Sequence, residues 1–367
     1  MTEDQGWADV GERVRQARLA HGLSQTKLGE RVGLDRSMIA KIEAGSRRID
    51  ALELARLSDV LQVSMSQLLR PQPQVLSHRA DVLALAEDST SEAGRESKLL
   101  ELALVDWLED VRQMADLGFL GPRAFLRHPG TAESRDAARQ AALWVRAQLE
   151  LGDEPIESLI DVCEKAGQFI LVTELPGEGA SLIDGDLAVA VVSLHRDPGR
   201  RRATAAHELG HLILGDEYSS DIGVHASRAD REMMIDAFAA ELLLPRKAVR
   251  SAATKGTISR TALVGLAARY RTSWSLTLAQ ADEANVLKAG MRRRWAVSNP
   301  TYAEFMEAVG WTPQPDLQSV RVPPLFAHAV MQAWQQDFIT SARAVELMHG
   351  QISQDDLPPG DDTDIEP

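Results

Sequence analysis

Two histidines and a glutamate lie within five residues of each other in the segment AAHELGHLIL, residues 205–214. His207 and His211 are four positions apart, so on a helix they share one face and can bind one metal ion. Zinc held by two imidazoles and a third protein ligand lowers the pKa of water toward ~7. Glu208, beside the first histidine, can accept the proton of that water and pass it to a leaving amine. The spacing therefore predicts metal-assisted hydrolysis of a peptide bond.

The residues around this motif are small or apolar, which predicts a buried helix rather than a solvated one. Two imidazoles and a carboxylate inside a core cost free energy unless a partner satisfies them, and a metal ion would do so. We therefore favour a zinc site over the alternative, in which the polar residues only decorate a surface helix. The flanking residues are Ala205, Ala206, Leu209, Gly210, Leu212, Ile213 and Leu214.

The segment REMMIDAFAAELLLP, residues 231–245, offers candidates for the third ligand. Glu232 and Asp236 are four positions apart and share a helix face, so Glu232 can bind the metal while Asp236 accepts the outer N–H of a histidine ligand. Such a carboxylate fixes the tautomer and the ring orientation of the histidine. The alternative for Glu232 is a solvated carboxylate at a helix start. Glu241 lies more than a turn beyond and is a weaker candidate.

Three further polar residues have no role that their spacing assigns: His195, His225 and Tyr218. The histidines could stabilise a reaction intermediate if loops bring them near the metal, but we interpret all three as surface or core residues. The apolar run LAVAVVSL, residues 187–194, predicts a core strand. An edge strand beside a peptidase cleft could also align an extended substrate by main-chain pairing.

The motif must be positioned by a domain of helices and strands that we place at residues 132–288. The first predicted helix of this domain spans 132–150, and the second ends at Gly167. Three short strands follow, which are rich in apolar residues and separated by glycine-containing turns. Four helices follow. The predicted strands are 168–173, 180–185 and 187–194, and the helices lie around 200–215, 229–244, 259–270 and 274–288.

Five short helices separated by turn signals predict a compact helical domain at residues 1–69. They are placed at 7–20, 24–32, 35–44, 50–61 and 64–69. Residues 70–131 are predicted to be a linker, with a short helix at 75–86 and an amphipathic helix near 97–117. The apolar stripe of that amphipathic helix either packs on the next domain or forms a dimer. Residues 289–350 are predicted to be helical, and 351–367 to be an acidic disordered tail.

Composition limits the class of protein. The chain has 367 residues and a formal net charge of −14, which argues against attraction of the whole chain to nucleic acid, so any DNA contact needs a local surface. A single cysteine, Cys163, excludes an internal disulfide and a cysteine-based zinc cluster. The longest strongly apolar run is too short to cross a bilayer. We expect a soluble cytoplasmic protein with no membrane association.

Two segments together resemble a known family. RRRATAAHELGHLIL (200–214) followed by DAFAAELLLP (236–245) is similar to the ImmA/IrrE-type zinc metallopeptidases, over roughly residues 132–288. The chain departs from this family at Met234, where many members carry a glutamate, and Glu232 is the nearest acid upstream. The resemblance implies a zincin-like α+β fold with gluzincin-like ligands, Zn²⁺ as cofactor, and repressors or antitoxin-like proteins as substrates.

The N-terminal segment LSQTKLGERVGLDRSMIAKIEAGSRRI, residues 23–49, resembles the XRE-type (lambda-repressor-like) helix-turn-helix domain. In that fold the third helix enters the major groove and the start of the second touches phosphate, and a dimer reads two half-sites. The resemblance implies that three groups of residues contact operator DNA. Gln25 and Thr26 would meet the backbone, Arg36, Ser37, Met38 and Lys41 the base edges, and Arg47 and Arg48 the flanking phosphates.

The fold class expected from these observations is multidomain: an all-α helix-turn-helix domain, an α+β metallopeptidase domain and a helical C-terminal region. The expected function is a homodimeric regulator that binds double-stranded DNA and cleaves a protein, whether itself, a sister subunit or a separate chain. A second hypothesis is a repressor or antitoxin whose peptidase-like domain is a sensor or docking module without turnover. Glu208 argues against it, because a structural zinc site needs no general base. A third is a peptidase whose helical N-terminus only holds a protein partner.

Overall fold

The computed structural model describes residues 3–69, 75–78, 92–121, 124–215, 225–314 and 316–358. Parts of the predicted linker, residues 70–74 and 79–91, lie outside the described residues, so the predicted helix at 75–86 is described only at its start. Tyr218 and the acidic tail after residue 358 also lie outside them. The start of that tail is described and contains a 3-10 helix at Gln354–Asp356, so the prediction of disorder from residue 351 was wrong for this part. None of the described helices is both long and apolar enough to cross a membrane.

The five helices predicted at the N-terminus are all present and pack around one apolar core. Ser24 caps the second helix by accepting a hydrogen bond from the Lys27 N–H at 3.1 Å. Asp50 and Glu53 form a capping box at the fourth helix, each satisfying a main-chain N–H of the other. The helices are α1 (Glu3–Ala20), α2 (Gln25–Val32), α3 (Arg36–Glu43), α4 (Ala51–Leu61) and α5 (Met65–Leu69).

A four-stranded sheet follows, in the order β1, β3, β4, β2. β2 and β4 are parallel, and β3 is antiparallel to both β4 and β1. The three predicted strands are present. The fourth comes from the predicted linker, and the helix predicted at 75–86 was wrong at its start, because residues 75–78 pair with β3 as a strand. The strands are β1 (Val75–His78), β2 (Gln168–Thr173), β3 (Gly179–Asp184) and β4 (Leu187–Ser193).

Helices cover both faces of the sheet. One face packs against a layer of helices that includes the segment with the two histidines. Among the described residues, eight helices lie between the N-terminal domain and residue 288, and a ninth, α14, is the first helix of the C-terminal region. They are α6 (Glu92–Asp116), α7 (Arg135–Gln148), α8 (Leu159–Lys165), α9 (Pro198–Leu214), α10 (His225–Leu243), α11 (Arg246–Ser251), α12 (Arg260–Tyr270), α13 (Trp274–Glu283) and α14 (Met291–Ala296).

The opposite face of the sheet is covered by α6 together with helices of the C-terminal region. The apolar stripe of α6 is buried there, and the Trp107 indole N–H donates to the Phe169 carbonyl at 2.9 Å. Of the two alternatives for this stripe, packing on the next domain is therefore the one that the structure shows, because these side chains contact the sheet of their own chain. The alternative of a dimer-forming face was wrong.

The C-terminal region is helical as predicted, and it packs on the rest of the chain. Its further helices are α15 (Tyr302–Val309), α16 (Pro324–Gln335) and α17 (Ser341–Leu347). Arg321 pairs with Val172 on the outer edge of β2 through two main-chain hydrogen bonds of 2.9 Å. Asp316 forms a buried ion pair with Arg202 of α9. The region after residue 288 is thus part of the support for α9 and for the sheet.

Asp106 of α6 lies where this helix meets the N-terminal domain. Burial raises the pKa of its carboxyl to about 7, the neighbouring Asp110 charge adds to that rise, and hydrogen bonds with Ser64 oppose it. The residues lining the adjoining cavity include Ser64, Asp110 and His349. A charge at Asp106 is therefore unfavourable in the folded protein.

Replacing Asp106 with asparagine removes that charge. The pKa of the folded carboxyl lies above the value of about 3.9 for an unfolded one, so wild-type stability falls as the pH rises from about 4 through 7. We expect D106N to gain on the order of 1–2 kcal/mol over wild type at pH 8 relative to pH 5. Urea unfolding at both pH values measures this, with D59N, an exposed carboxylate on the same cavity, as the control. The same difference at both pH values would contradict the assignment.

Candidate metal centre

The helix α9 carries the two histidines through the interior of the protein. Asp197 begins it by accepting a hydrogen bond from the Arg200 N–H at 3.1 Å, and Gly215 ends it in the left-handed conformation. His207, Glu208 and His211 are 2%, 0% and 1% exposed. The motif is therefore buried, as its apolar flanks predicted.

Three ligand atoms converge beside α9. The Nε2 atoms of His207 and His211 are 3.1 Å apart, and Nε2 of His207 is 3.1 Å from Oε2 of Glu232 on α10. All three lie within 4.8 Å of one another. Ligands about 2.0–2.2 Å from a tetrahedral zinc ion are separated by roughly 3.3 Å. The spacing of this group therefore fits a metal ion of that size.

Asp236 sets which nitrogen of His207 faces this group. Its Oδ1 lies 3.0 Å from Nδ1 of His207, so the ring donates its Nδ1 proton to the carboxylate. The Nε2 of a neutral His207 then presents a lone pair toward Oε2 of Glu232, which is also an acceptor. Two acceptors at 3.1 Å repel each other unless a proton or a metal ion lies between them, and a metal ion would satisfy both. The chemistry of the donor set thus agrees with the distances.

The approach of α10 to α9 depends on Gly210. A Cβ at this position would lie 3.0 Å from the side chains of Ile235 and Phe238 on α10. Since Ile235 lies between Glu232 and Asp236, a larger residue at 210 would push both acids away from the histidines.

The carboxylate of Glu208 faces the sheet. The Ser181 hydroxyl on β3 donates to its Oε2 at 2.8 Å. A Cβ at Gly179 would lie 2.6 Å from the Thr204 side chain and 3.4 Å from Oε1 of Glu208, so glycine lets β3 approach α9 closely. The sequence did not predict Ser181. The signal was a polar residue inside an otherwise apolar strand.

The other polar candidates lie elsewhere. Glu241 accepts hydrogen bonds from Arg246 and Gln280, and this network does not include the histidines.

Met234 is partly buried and packs on the apolar core beside α9. His195 is exposed after β4, and His225 begins α10. Burial raises the pKa of the Cys163 thiol, so this residue stays protonated.

The predicted DNA-contacting residues divide into two groups. Those of α3, together with Thr26 and Arg48, have exposed side chains, while Ile39 and Ile42 on the other side of α3 are buried in the core. The exposed residues of α3 are Arg36, Ser37, Met38 and Lys41.

The remaining two predicted contacts are already engaged within the domain. The Gln25 amide donates to Glu43 at 2.9 Å, where Arg18 also binds Glu43 as a buried ion pair. Arg47 makes hydrogen bonds of 2.6 and 2.8 Å to the Glu53 carboxylate, and these bonds lower the pKa of Glu53. Gln25 and Arg47 thus hold the helix ends in place.

Zinc affinity will separate the roles of the two acids on α10. Glu232→Ala removes a ligand atom and is expected to lower the affinity more than Asp236→Asn, which only weakens the orientation of His207. Loss of such an orienting carboxylate costs about 10–100-fold in metal affinity. Competition with a chelating dye measures both, with Asp230→Asn, exposed on the same helix, as the control. If Glu232→Ala binds zinc as tightly as Asp230→Asn, Glu232 is not a ligand.

Comparison with known proteins finds two matching families. A helix-turn-helix model matches residues 14–68, and a model of the IrrE N-terminal-like domain matches residues 163–280. An HTH-type transcriptional regulator of Sinorhizobium fredii is 30% identical over 115 residues, which span 31% of this chain and 76% of that protein. Similar regulators of Sinorhizobium medicae and Rhizobium meliloti are 39% identical over 64 residues, covering 17% of this chain and 46% of each relative.

Two solved structures are also similar. The restriction-modification controller protein C.AhdI from Aeromonas hydrophila is 34% identical, with 17% of this chain and 94% of that chain covered and a TM-score of 0.17. Bacillus thuringiensis PlcR, solved with the peptide PapR7 and DNA, is 11% identical, with 93% and 91% covered and a TM-score of 0.18. The family models and the Sinorhizobium fredii relative carry the assignment. The chain belongs to the HTH-type transcriptional regulators, and it joins a helix-turn-helix domain to an IrrE N-terminal-like domain.

Proposed function

We propose that this protein is a DNA-binding transcriptional regulator whose IrrE N-terminal-like domain is a zinc-dependent endopeptidase. The observation that carries the proposal is the convergence of His207, His211 and Glu232 beside the buried carboxylate of Glu208. Two imidazoles and one carboxylate, with a general base next to them, are the side chains that zinc-assisted hydrolysis uses. A purely structural metal site has no use for a buried Glu208.

Zinc, when bound there, supplies Lewis acidity and lowers the pKa of water. Side chains of the protein orient the metal ligand and transfer the proton. Asp236 keeps Nε2 of His207 directed at the metal position, and the Ser181 hydroxyl holds one oxygen of Glu208. Glu208 takes one proton from the attacking water and delivers it to the nitrogen of the breaking amide bond. The products are a carboxylic acid and an amine.

We propose that water and substrate reach the metal position from the side of α10. The side chain of Glu232 is 20% exposed and that of Asp236 is 57% exposed, whereas both histidines are buried. The proposed site therefore has its histidines and Glu208 buried, with solvent-exposed carboxylates on the α10 side where a peptide would enter.

The proposed substrate is a repressor or antitoxin-like protein, whose cleavage would relieve repression. The proposal is supported by the presence of a helix-turn-helix domain and an IrrE N-terminal-like domain in one chain. The proposed DNA partner is a double-stranded operator, contacted by the exposed side of α3. A single domain with few cationic contacts binds weakly, so we propose a homodimer that reads two half-sites.

Substitution of Glu208 tests the peptidase directly. Glu208→Gln keeps the size of the side chain and the metal ligands but cannot accept a proton, so it should bind zinc like wild type and lose about 10²–10⁴-fold in cleavage rate. Intact mass spectrometry of this chain and of candidate repressors, followed over time, measures cleavage. His207→Ala is the control that loses zinc. Equal behaviour of wild type and Glu208→Gln, with zinc bound and nothing cut, would instead support the sensor hypothesis.

Substitutions in the first domain test DNA binding. Lys41→Ala should cost about 1–3 kcal/mol on the preferred operator and relax its sequence preference. Arg48→Ala should weaken binding to all sequences alike and reduce the slope of log affinity against log salt by about 1. Fluorescence anisotropy with promoter DNA at several salt concentrations measures both. Lys247→Ala, an exposed change on α11, is the control. Wild-type affinity and salt slope in both variants would refute the proposed interface.

A further inference from the structure

The outer edge of β3 is occupied by a strand from the segment between the two domains. β1 pairs antiparallel with β3, with Ser77 opposite Ser181 and His78 opposite Ala180. An exposed strand edge is where a protein can bind an extended peptide by main-chain hydrogen bonds. In this protein a piece of the same chain, four residues long, fills that position.

This strand pairs with the strand that carries a hydrogen-bond partner of the proposed general base. Ser181, opposite Ser77, donates its hydroxyl hydrogen bond to Glu208. β1 also contacts α9, the helix that carries Glu208 and both histidines. A peptide in the place of β1 is therefore one strand away from the residue that holds the Glu208 carboxylate.

The pairing of β1 is irregular at one point. Val75 lies opposite Leu182 and Ser77 opposite Ser181, so the register shifts between them and Leu76 has no counterpart on β3. A bulge of this kind leaves the extra residue out of the ladder and turns its main chain in a new direction. For a peptide bond to be attacked, its carbonyl oxygen must not be engaged in a hydrogen bond of the sheet. A bulge meets this requirement.

We propose that residues 75–78 are the substrate of the protein's own site, and that one of the three peptide bonds between Val75 and His78 is cut. This inference rests on the proposed peptidase function. One water molecule is consumed: its oxygen bonds to the carbonyl carbon, the C–N bond breaks, and Glu208 carries a proton to the departing nitrogen. The new ends are a carboxylate on the N-terminal fragment and an amine on the remainder.

A cut at this place separates the DNA-binding domain from the metal-binding domain. Residues 3–69 hold the five helices of the first domain, and every residue of the metal group follows β1 in the sequence. After cleavage only non-covalent contacts join the parts, including the hydrogen bond from the Gln67 amide to the Leu102 carbonyl of α6. Cleavage thus converts one regulator into two separable pieces.

The test follows the full-length chain after addition of zinc. Intact mass spectrometry of wild type should show a new N-terminal fragment that ends at residue 75, 76 or 77, together with its complement. Glu208→Gln and a chelator-treated sample should stay intact. One double variant probes the strand: L76P/S77P removes main-chain donors from the ladder and should reduce cleavage at least ~10-fold. The control is Lys247→Ala, an exposed change on α11 that should be cut like wild type.

A second measurement does not depend on activity. In the uncut Glu208→Gln chain without zinc, hydrogen exchange of the β3 amides that face β1 should be slow. Adding L76P/S77P should speed it by about 10-fold or more, because an opened ladder exposes those amides to water. Equal exchange in the two proteins would overturn the placement of β1, even if L76P/S77P lowers cleavage by another route.

The possible results distinguish a failure of this inference from a failure of the proposed peptidase function. A zinc-loaded chain that stays intact at 75–78 while it cuts a separate protein or another bond overturns the inference and leaves the peptidase standing. A chain that holds zinc and cuts nothing overturns both. Cleavage within 75–78 that is lost in Glu208→Gln supports both.

Discussion

The burial of two imidazoles and a carboxylate on α9 is the constraint around which the rest of this domain is arranged. Polar groups taken out of water cost free energy unless each finds a partner of suitable chemistry. The three partners come from two elements: Asp236 and Glu232 from α10, and Ser181 from β3. The close approaches at Gly210 and Gly179 follow from the same need, because those partners must lie within hydrogen-bonding distance.

The position of α9 itself depends on a second buried charge. The Asp316 carboxylate pairs with Arg202 and also accepts a hydrogen bond from the Leu159 N–H at 3.3 Å, near the start of α8. Arg202 donates in addition to the Ile156 carbonyl at 3.0 Å. Removing one member of such a group leaves the other charge buried without compensation, which is strongly destabilising. The C-terminal region therefore acts on the metal centre through Asp316, although it contributes none of the three ligand atoms.

The sequence was sufficient to predict the features that depend only on local helix and strand geometry. The spacing of His207 and His211 places them on one helix face, and the same reasoning joins Glu232 to Asp236, because helix periodicity needs no knowledge of the rest of the fold. Three strands and the N-terminal helices were predicted on similar grounds. Ser181 could not be found in this way, since its role arises only when β3 meets α9.

Non-local contacts explain the wrong predictions as well. The stripe on α6 identified a buried face but not the sheet that buries it. Residues 75–78 carry no strong strand signal and pair only because β3 offers an open edge. The hydrogen bond from the Gln25 amide to Glu43 is another non-local contact that the sequence did not reveal, and the DNA contact of Gln25 stays a prediction.

The strand β1 also bears on which outside peptides the site could accept. Because β1 and β3 belong to one chain, their pairing is intramolecular, which raises the effective concentration of β1 at this edge. A peptide from another protein would have to compete with this strand for the same edge. Access of that peptide to β3 would then depend on how easily β1 dissociates from β3. A signal that moves the DNA-binding domain away from the sheet would therefore control which substrate is accepted.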